Sequence, residues 1–308
     1  MENQTTVVTY FILSFSHDPP LQYFLFLLFF FIYAVTVIGN ITIMMVISGN
    51  SNLNSPMYFF LSHLSFIDIC FSSVTVPKLL DNIFSNQVIS YNSCFTQMFF
   101  ILLTGTTECF ILAAMAYDRY AAICKPLHYV KIMNRAFCRW LVFGAWAIAF
   151  VYAMAITLPL LKLIYCGPNI INHFSCELPS LLALSCTDIS LNIIMFLITA
   201  SLLFLFSISV ILLSYINIVS SILKIHSAEA RRKTFSTCSS HLIVVILFYG
   251  TSGLRYLRPS SASTIMDEYL SIQYSISTPL LNPIIYSLKN RGVKEAIKKL
   301  VGYKPLIS

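Results

Sequence analysis

The chain has 308 residues, 57% of them hydrophobic and only 10% charged, against roughly 25% charged in an ordinary soluble domain. Twelve acids and nineteen bases cannot coat a soluble surface of that size, and the composition also excludes disorder, collagen, coiled coil and a disulfide-packed miniprotein. The net charge of +7 does not point to nucleic acid, because the bases lie in short segments between apolar runs, which is the pattern of membrane topology.

The tail at residues 1–22 lacks the charged start and small-residue cleavage site of a signal peptide, so the first span is expected to act as an uncleaved signal anchor. Within that tail Asn3-Gln4-Thr5 is a glycosylation sequon, while Asn40-Ile41-Thr42 has the same pattern inside the first span, where no glycan fits. Apolar runs then recur at Gln22–Ser48, Pro56–Leu79, Ser93–Cys124, Trp140–Leu161, Leu191–Ile225, Thr234–Leu257 and Glu268–Leu288. A span takes about 20 apolar residues, so each run is long enough, and no internal repeat links them. The expected fold is all-α: a seven-transmembrane helix bundle over residues 23–288, followed by a short cytoplasmic amphipathic helix and tail at 289–308. In Asn290–Leu300, Val293, Ile297 and Leu300 share one face and Lys294, Lys298 and Lys299 another, which suits a helix lying on a membrane surface.

Orientation follows from the bases. Arg119, Lys125, Lys131, Arg135 and Arg139, then Lys224, Arg231, Arg232 and Lys233, then Lys289, Arg291, Lys294, Lys298, Lys299 and Lys304 fall on one side. Lys78, Lys162, Arg255 and Arg258 fall on the other. The basic side is cytoplasmic, which puts the C-terminus inside and, with seven spans, the N-terminus outside at the plasma membrane. Cys94, Cys166, Cys176 and Cys186 then face the oxidising side, where four cysteines allow three pairings. Cys70, Cys109, Cys124, Cys138 and Cys238 lie in or below the membrane and read as reduced packing residues.

Polar residues inside spans are costly and mark function. Asn40, Asp68, Glu108 and Asn282-Pro283 all fall at mid-membrane depth, and two acids there need a proton, a cation or amide donors. Asp118-Arg119-Tyr120 ends the third span, where the carboxylate keeps the guanidinium charged and holds it until a partner competes. Pro283 beside Asn282 and one turn before Tyr286 can kink its helix and act as a bistable point.

Asn40, Asp68, Asp118-Arg119-Tyr120, Trp146 and Asn282-Pro283 with Tyr286 resemble the signature residues of rhodopsin-like G-protein-coupled receptors, each in its expected span. Pro56-Met57-Tyr58-Phe59-Phe60-Leu61, Met115-Ala116-Tyr117-Asp118-Arg119-Tyr120-Ala121-Ala122-Ile123-Cys124, Ser214-Tyr215, Lys233-Thr234-Phe235-Ser236-Thr237-Cys238-Ser239-Ser240-His241 and Pro279-Leu280-Leu281-Asn282-Pro283 look like the motifs of vertebrate olfactory receptors. Departures are small: Ala121 stands for a common valine and Thr234 for a frequent alanine. Phe248-Tyr249-Gly250 replaces the tryptophan switch of many other receptors, itself an olfactory-type feature.

The resemblance implies a receptor, not an enzyme, in which a small volatile odorant shifts a two-state equilibrium and engages a heterotrimeric, olfactory-type stimulatory G protein that raises cyclic AMP. It assigns coupling to Asp118, Arg119, Tyr120, Tyr215, Asn282, Pro283 and Tyr286, and selects the pairings Cys94–Cys176 and Cys166–Cys186. With Cys176 paired, His173 and Glu177 are poor ligands for a soft metal. Asp68 and Glu108 are expected to share a sodium ion, or else one of them holds a proton. A secondary transporter, suggested only by those two acids, lacks the expected inverted repeats, and no nucleophile–base pair or metal spacing supports an enzyme.

Helical spacing groups Ile101, Leu102, Gly105, Thr106 and Cys109 on the third span, Thr199 and Leu203 on the fifth, Tyr249, Ser252 and Tyr256 on the sixth, and Ile272 and Ser275 on the seventh. Gly105 leaves room for a ligand atom to approach. This outer-half set is mostly apolar with a few hydroxyls, so it favours neutral ligands. Arg255 and Arg258 are expected to face water or pair with Asp267 and Glu268.

Overall fold

The computed structural model describes residues 10–13, 19–84, 88–166, 169–171, 173–224, 226–256 and 271–300. The predicted sequon at Asn3, Arg258, Asp267 and Glu268 lie outside these residues, as do the side chains of Arg255 and Tyr256.

Seven helices make the bundle. They are α1 (Pro19–Gly49), α2 (Pro56–Phe84), α3 (Tyr91–Cys124), α4 (Arg135–Leu160), α5 (Ser190–Leu223), α6 (Ala228–Tyr256) and α7 (Thr278–Lys289). An eighth, α8 (Arg291–Leu300), follows directly. The first five are long and apolar enough to cross a membrane on those grounds alone, and α6 carries a shorter apolar stretch, Cys238–Leu254. A π-helical turn, Gln273–Ser277, leads into α7.

Local sequence sets the ends. Pro19-Pro20 and Pro56 open α1 and α2, where a missing N–H costs nothing. Ser90 and Asn134 cap α3 and α4, their side-chain oxygens accepting from the backbone N–H of Ser93 (3.2 Å) and Phe137 (2.9 Å). Lys125-Pro126 stops α3. The fourth helix starts at Arg135, ahead of the predicted Trp140, because the Asn134 cap rather than the first long apolar run fixes its start.

The third helix is the hub, packed against α2, α4, α5 and α6. By contrast α1 and α5 turn Phe24, Leu27 and Phe31, and Leu202, Leu213 and Ile216, outward, a surface suited to hydrocarbon and not to water. Asn40 joins α1 to α7, its amide donating to the carbonyl of Pro279 (3.1 Å). One residue earlier Gly39 lets the helices close up, since a Cβ there would meet the Pro283 ring at 3.3 Å.

At one end of the bundle three short strands form a lid that the all-helical reading missed. β1 (Tyr10–Leu13) lies between β2 (Val88–Ser90), antiparallel with Phe11 opposite Ile89, and β3 (Ile170–Ile171), parallel with Ile12 opposite Ile170. A further helical segment, Leu178–Ala183, buries Leu178, Leu181 and Leu182 beneath it. At the other end α8 buries Val293, half-buries Ile297 and exposes Lys294, Lys298 and Lys299, as predicted, and buries Ala296 as well, which was not; the side chain of Leu300 lies outside the described residues. Asn290 caps it, accepting from the N–H groups of Gly292 (3.1 Å) and Val293 (3.3 Å), and the Tyr58 hydroxyl donates to the same oxygen (3.1 Å).

Candidate functional site

Three buried polar groups meet at the waist of the bundle. The Asn282 amide nitrogen donates to both carboxylate oxygens of Asp68, at 3.0 Å each. Asp68, Glu108 and Asn282 are each 2% exposed or less. Glu108 Oε1, Asn282 Oδ1 and the Tyr286 hydroxyl have no hydrogen-bond partner among the described residues. Orphaned buried oxygens are expensive. Two carboxylates with a neutral amide oxygen form a hard donor set of the kind an alkali cation takes, so these residues fit the ion the sequence suggests.

Nearer the end opposite the lid, Asp118 is fully buried and Arg119 is 9% exposed. The guanidinium donates to Asp118 Oδ2 through Nε (3.1 Å) and Nη2, while the other carboxylate oxygen accepts from the Tyr129 hydroxyl at 2.7 Å. Tyr129 lies on the single-turn helix Tyr129–Ile132, where burial and then the Asp118 charge push its phenol up, so it keeps the donated proton. Sequence reasoning missed Tyr129, whose only hint is its place eleven residues past Asp118 on a turn after Pro126.

Tyr215, one of the residues assigned to coupling, is engaged with α6. The Tyr215 hydroxyl meets His241 Nδ1 at 2.8 Å, and His241 Nε2 meets the Leu112 carbonyl at 3.1 Å. A carbonyl only accepts, so Nε2 carries the proton, and Nδ1 of the neutral ring accepts from the phenol. His241 therefore ties α6 to α3 and α5 at once. Tyr286 is fully buried, and Tyr120 packs beside Ile218, Ile222 and Cys238. His241 appeared in the sequence only inside a motif, with no role attached.

The predicted ligand set separates into three places. Leu102 and Leu203 pack with Met98, Tyr152, Cys176 and Phe196 beneath the lid. Cys109 and Tyr249 sit in the central core, with the Tyr249 hydroxyl donating to the Cys109 carbonyl (3.3 Å). Ile272 does not join them: it packs with Phe29, Leu79, Phe174 and Ile276, toward α1 and α2. Ile272 immediately precedes the π-helical turn Gln273–Ser277. Ile101 and Thr106 are half-buried, Ser252 and Ser275 are buried, and the Thr199 hydroxyl donates to its own helix at Met195 (2.6 Å). The open side of Gly105 holds the Tyr274 hydroxyl, which a Cβ at 105 would strike.

Both disulfides, Cys94–Cys176 and Cys166–Cys186, are present. Gln97 reinforces the first, accepting from the Cys176 N–H (2.9 Å) and donating to the Val74 carbonyl (2.9 Å). One side chain thus joins α2, α3 and the lid. Beside it Ser175 donates to Glu177 (3.2 Å), and His173 Nε2 stands 3.9 Å from the same carboxylate.

The family model for olfactory receptors matches residues 29–304. The chain is 45% identical to olfactory receptor 10A7 of Homo sapiens over 99% of its length and 97% of that protein. It is also 45% identical to olfactory receptor 5AR1 of Mus musculus, over 99% of both. Among solved structures, squid rhodopsin superposes with a TM-score of 0.71 at 19% identity, covering 94% of this chain and 88% of that one, which speaks for the seven-helix fold. With its motifs in order and its disulfides and buried Asp118–Arg119 pair in place, the chain is a multi-pass membrane protein that belongs to the olfactory receptor family of G-protein-coupled receptors.

Proposed function

We propose that this receptor binds small, neutral, largely apolar volatiles beneath the lid and activates an olfactory-type stimulatory G protein, raising cyclic AMP. The observation that carries the coupling half is the buried guanidinium of Arg119, held by an Asp118 that Tyr129 holds in turn. Such a charge stays put until a competing partner takes it. For the ligand half, Leu102, Leu203, Tyr249 and Ser252 supply apolar area with few hydroxyls and no charge. The base asymmetry supports a lid on the outer face of the plasma membrane, α8 on the cytoplasmic face and lipid around the bundle. In that orientation Asn3 carries a glycan.

Asp68 and Glu108, with Asn282 Oδ1, would hold a sodium ion, which would balance the carboxylates and favour the resting arrangement. A proton on one acid is the alternative. The test is a panel of neutral and charged odorants on cells displaying the receptor, read as cyclic AMP with sodium or choline as the external cation. Neutral agonists are expected, with potency reduced in sodium for wild type and not for Glu108→Gln. A carboxylate agonist lost only in Arg255→Ala would overturn the ligand class, silence toward every odorant the coupling, and sodium-insensitive wild type the ion.

A further inference from the structure

Gly105 and Tyr274 make a contact that neither sequence motif describes. The Tyr274 ring stands edge-on to Phe71 (centroids 5.1 Å apart) and tilted to Phe248 (5.6 Å), so α2 and α6 fix it from two sides. Its hydroxyl enters a notch on α3 that exists only because residue 105 has no side chain. A Cβ built there would collide with that hydroxyl, yet it would lie 3.5 Å from the ring carbon Cζ, an ordinary contact. One turn along α3, the Tyr249 hydroxyl reaches the Cys109 carbonyl. Two tyrosines from different helical segments therefore meet neighbouring turns of α3.

Tyr274 also belongs to the π-helical turn Gln273–Ser277. Such a turn carries one residue more than an α-turn and recurs at functional sites in α-helices. Eight residues further on, or about 12 Å of helix, the same segment carries Asn282 with its bonds to Asp68.

We propose that Tyr274 is the positioning residue through which the site reports occupancy: a ligand atom at the Gly105 notch displaces the tyrosine hydroxyl and moves the seventh helix at its π-helical turn. This rests on the receptor reading above. It makes a methyl group at residue 105 a built-in mimic of ligand, and makes its effect depend on one oxygen atom. Gly105→Ala pushes the hydroxyl out. Tyr274→Phe removes the colliding atom and leaves the ring, so the two changes together restore the fit.

The test needs no known odorant. The full-length receptor, wild type, Gly105→Ala, Tyr274→Phe and the double variant, is displayed on cells, with basal cyclic AMP normalised to surface level. The melting temperature of the solubilised proteins is measured in parallel. Gly105→Ala is expected to raise basal signal by about threefold or more, and the double variant to return to within about twofold of wild type. If Gly105→Ala fails to reach the surface, the same rescue by Tyr274→Phe is read as recovered surface level. A Gly105→Ala receptor with wild-type basal signal, or a double variant that behaves like Gly105→Ala, overturns the proposal. Should the wild type prove silent toward every odorant, the coupling reading fails by itself and the melting temperatures decide: Gly105→Ala is expected several degrees lower with Tyr274→Phe restoring it, and no restoration overturns the contact.

Discussion

Arg119 is buried at the mouth of the bundle and its charge is met by a neighbour in sequence, so its position depends on what holds Asp118. Tyr129 does, through a hydrogen bond to a charged acceptor, a class worth about 1.5–3 kcal/mol. Tyr129→Phe removes that bond with almost no change of volume. It is expected to loosen the guanidinium and raise basal cyclic AMP by roughly tenfold or more, since about 1.4 kcal/mol is a factor of ten. Arg119→Ala is expected to abolish the response at unchanged surface level. A Tyr129→Phe receptor with wild-type basal activity would show that Asp118 holds the arginine unaided. The Asp118–Arg119 half of this lock is legible in the sequence because the two residues are adjacent. The Tyr129 half is not, and neither is His241 spanning from Leu112 to Tyr215, since contacts between distant segments leave no local pattern.

Among the elements, α8 is the clearest case of sequence period and structure agreeing, with Val293 and Ala296 inward and the lysines outward. Its attachment is another matter. The Asn290 cap, worth about 1 kcal/mol, also receives the Tyr58 hydroxyl from α2, and Gly292 lies against that hydroxyl and 3.1 Å, measured from a built Cβ, from Leu53 Cδ2. Alanine is the better helix former by about 1 kcal/mol, so propensity alone makes Gly292→Ala stabilising. The packing predicts the opposite sign: faster amide hydrogen exchange over 291–300 in Gly292→Ala and in Asn290→Ala, by about fivefold for each kcal/mol lost. Slower exchange in Gly292→Ala would mean that Tyr58 yields at little cost. The helices themselves were readable from apolar runs and capping residues, whereas the strands were not. Three or four residues are too few for alternation to register, and Tyr10–Leu13 reads as one more apolar patch.

At the scale of the molecule, the lid is fastened to the bundle by covalent and polar means together. Removing a native disulfide typically costs 2–5 kcal/mol, and Gln97→Leu would take the Cys176 N–H's acceptor away, about 1–3 kcal/mol for a buried donor left without one, and free α2 from its tie at the Val74 carbonyl. Both Cys176→Ser and Gln97→Leu are therefore expected to lower the melting temperature of the solubilised receptor. In the double variant the losses should be less than additive, because each one frees the same backbone segment. Strict additivity would separate the two fastenings. The Cys94 pairing could be chosen from family resemblance, but Gln97 sits unmarked in an apolar run, and only the folded chain shows it bridging three elements.

The order of the strands in the lid has a consequence for how the molecule is made. Tyr10–Leu13 is the middle strand, bonded on one side to Val88–Ser90 and on the other to Ile170–Ile171. A ribosome completes that middle strand first, long before its second neighbour exists, and four helices must be synthesised and threaded in between. Throughout that interval the edge of the strand that faces Ile170–Ile171 lacks its sheet partner, the condition under which strand edges find wrong ones. Closing the sheet is thus a late event of assembly that depends on both neighbours reaching the same side of the bilayer as the strand that waits for them.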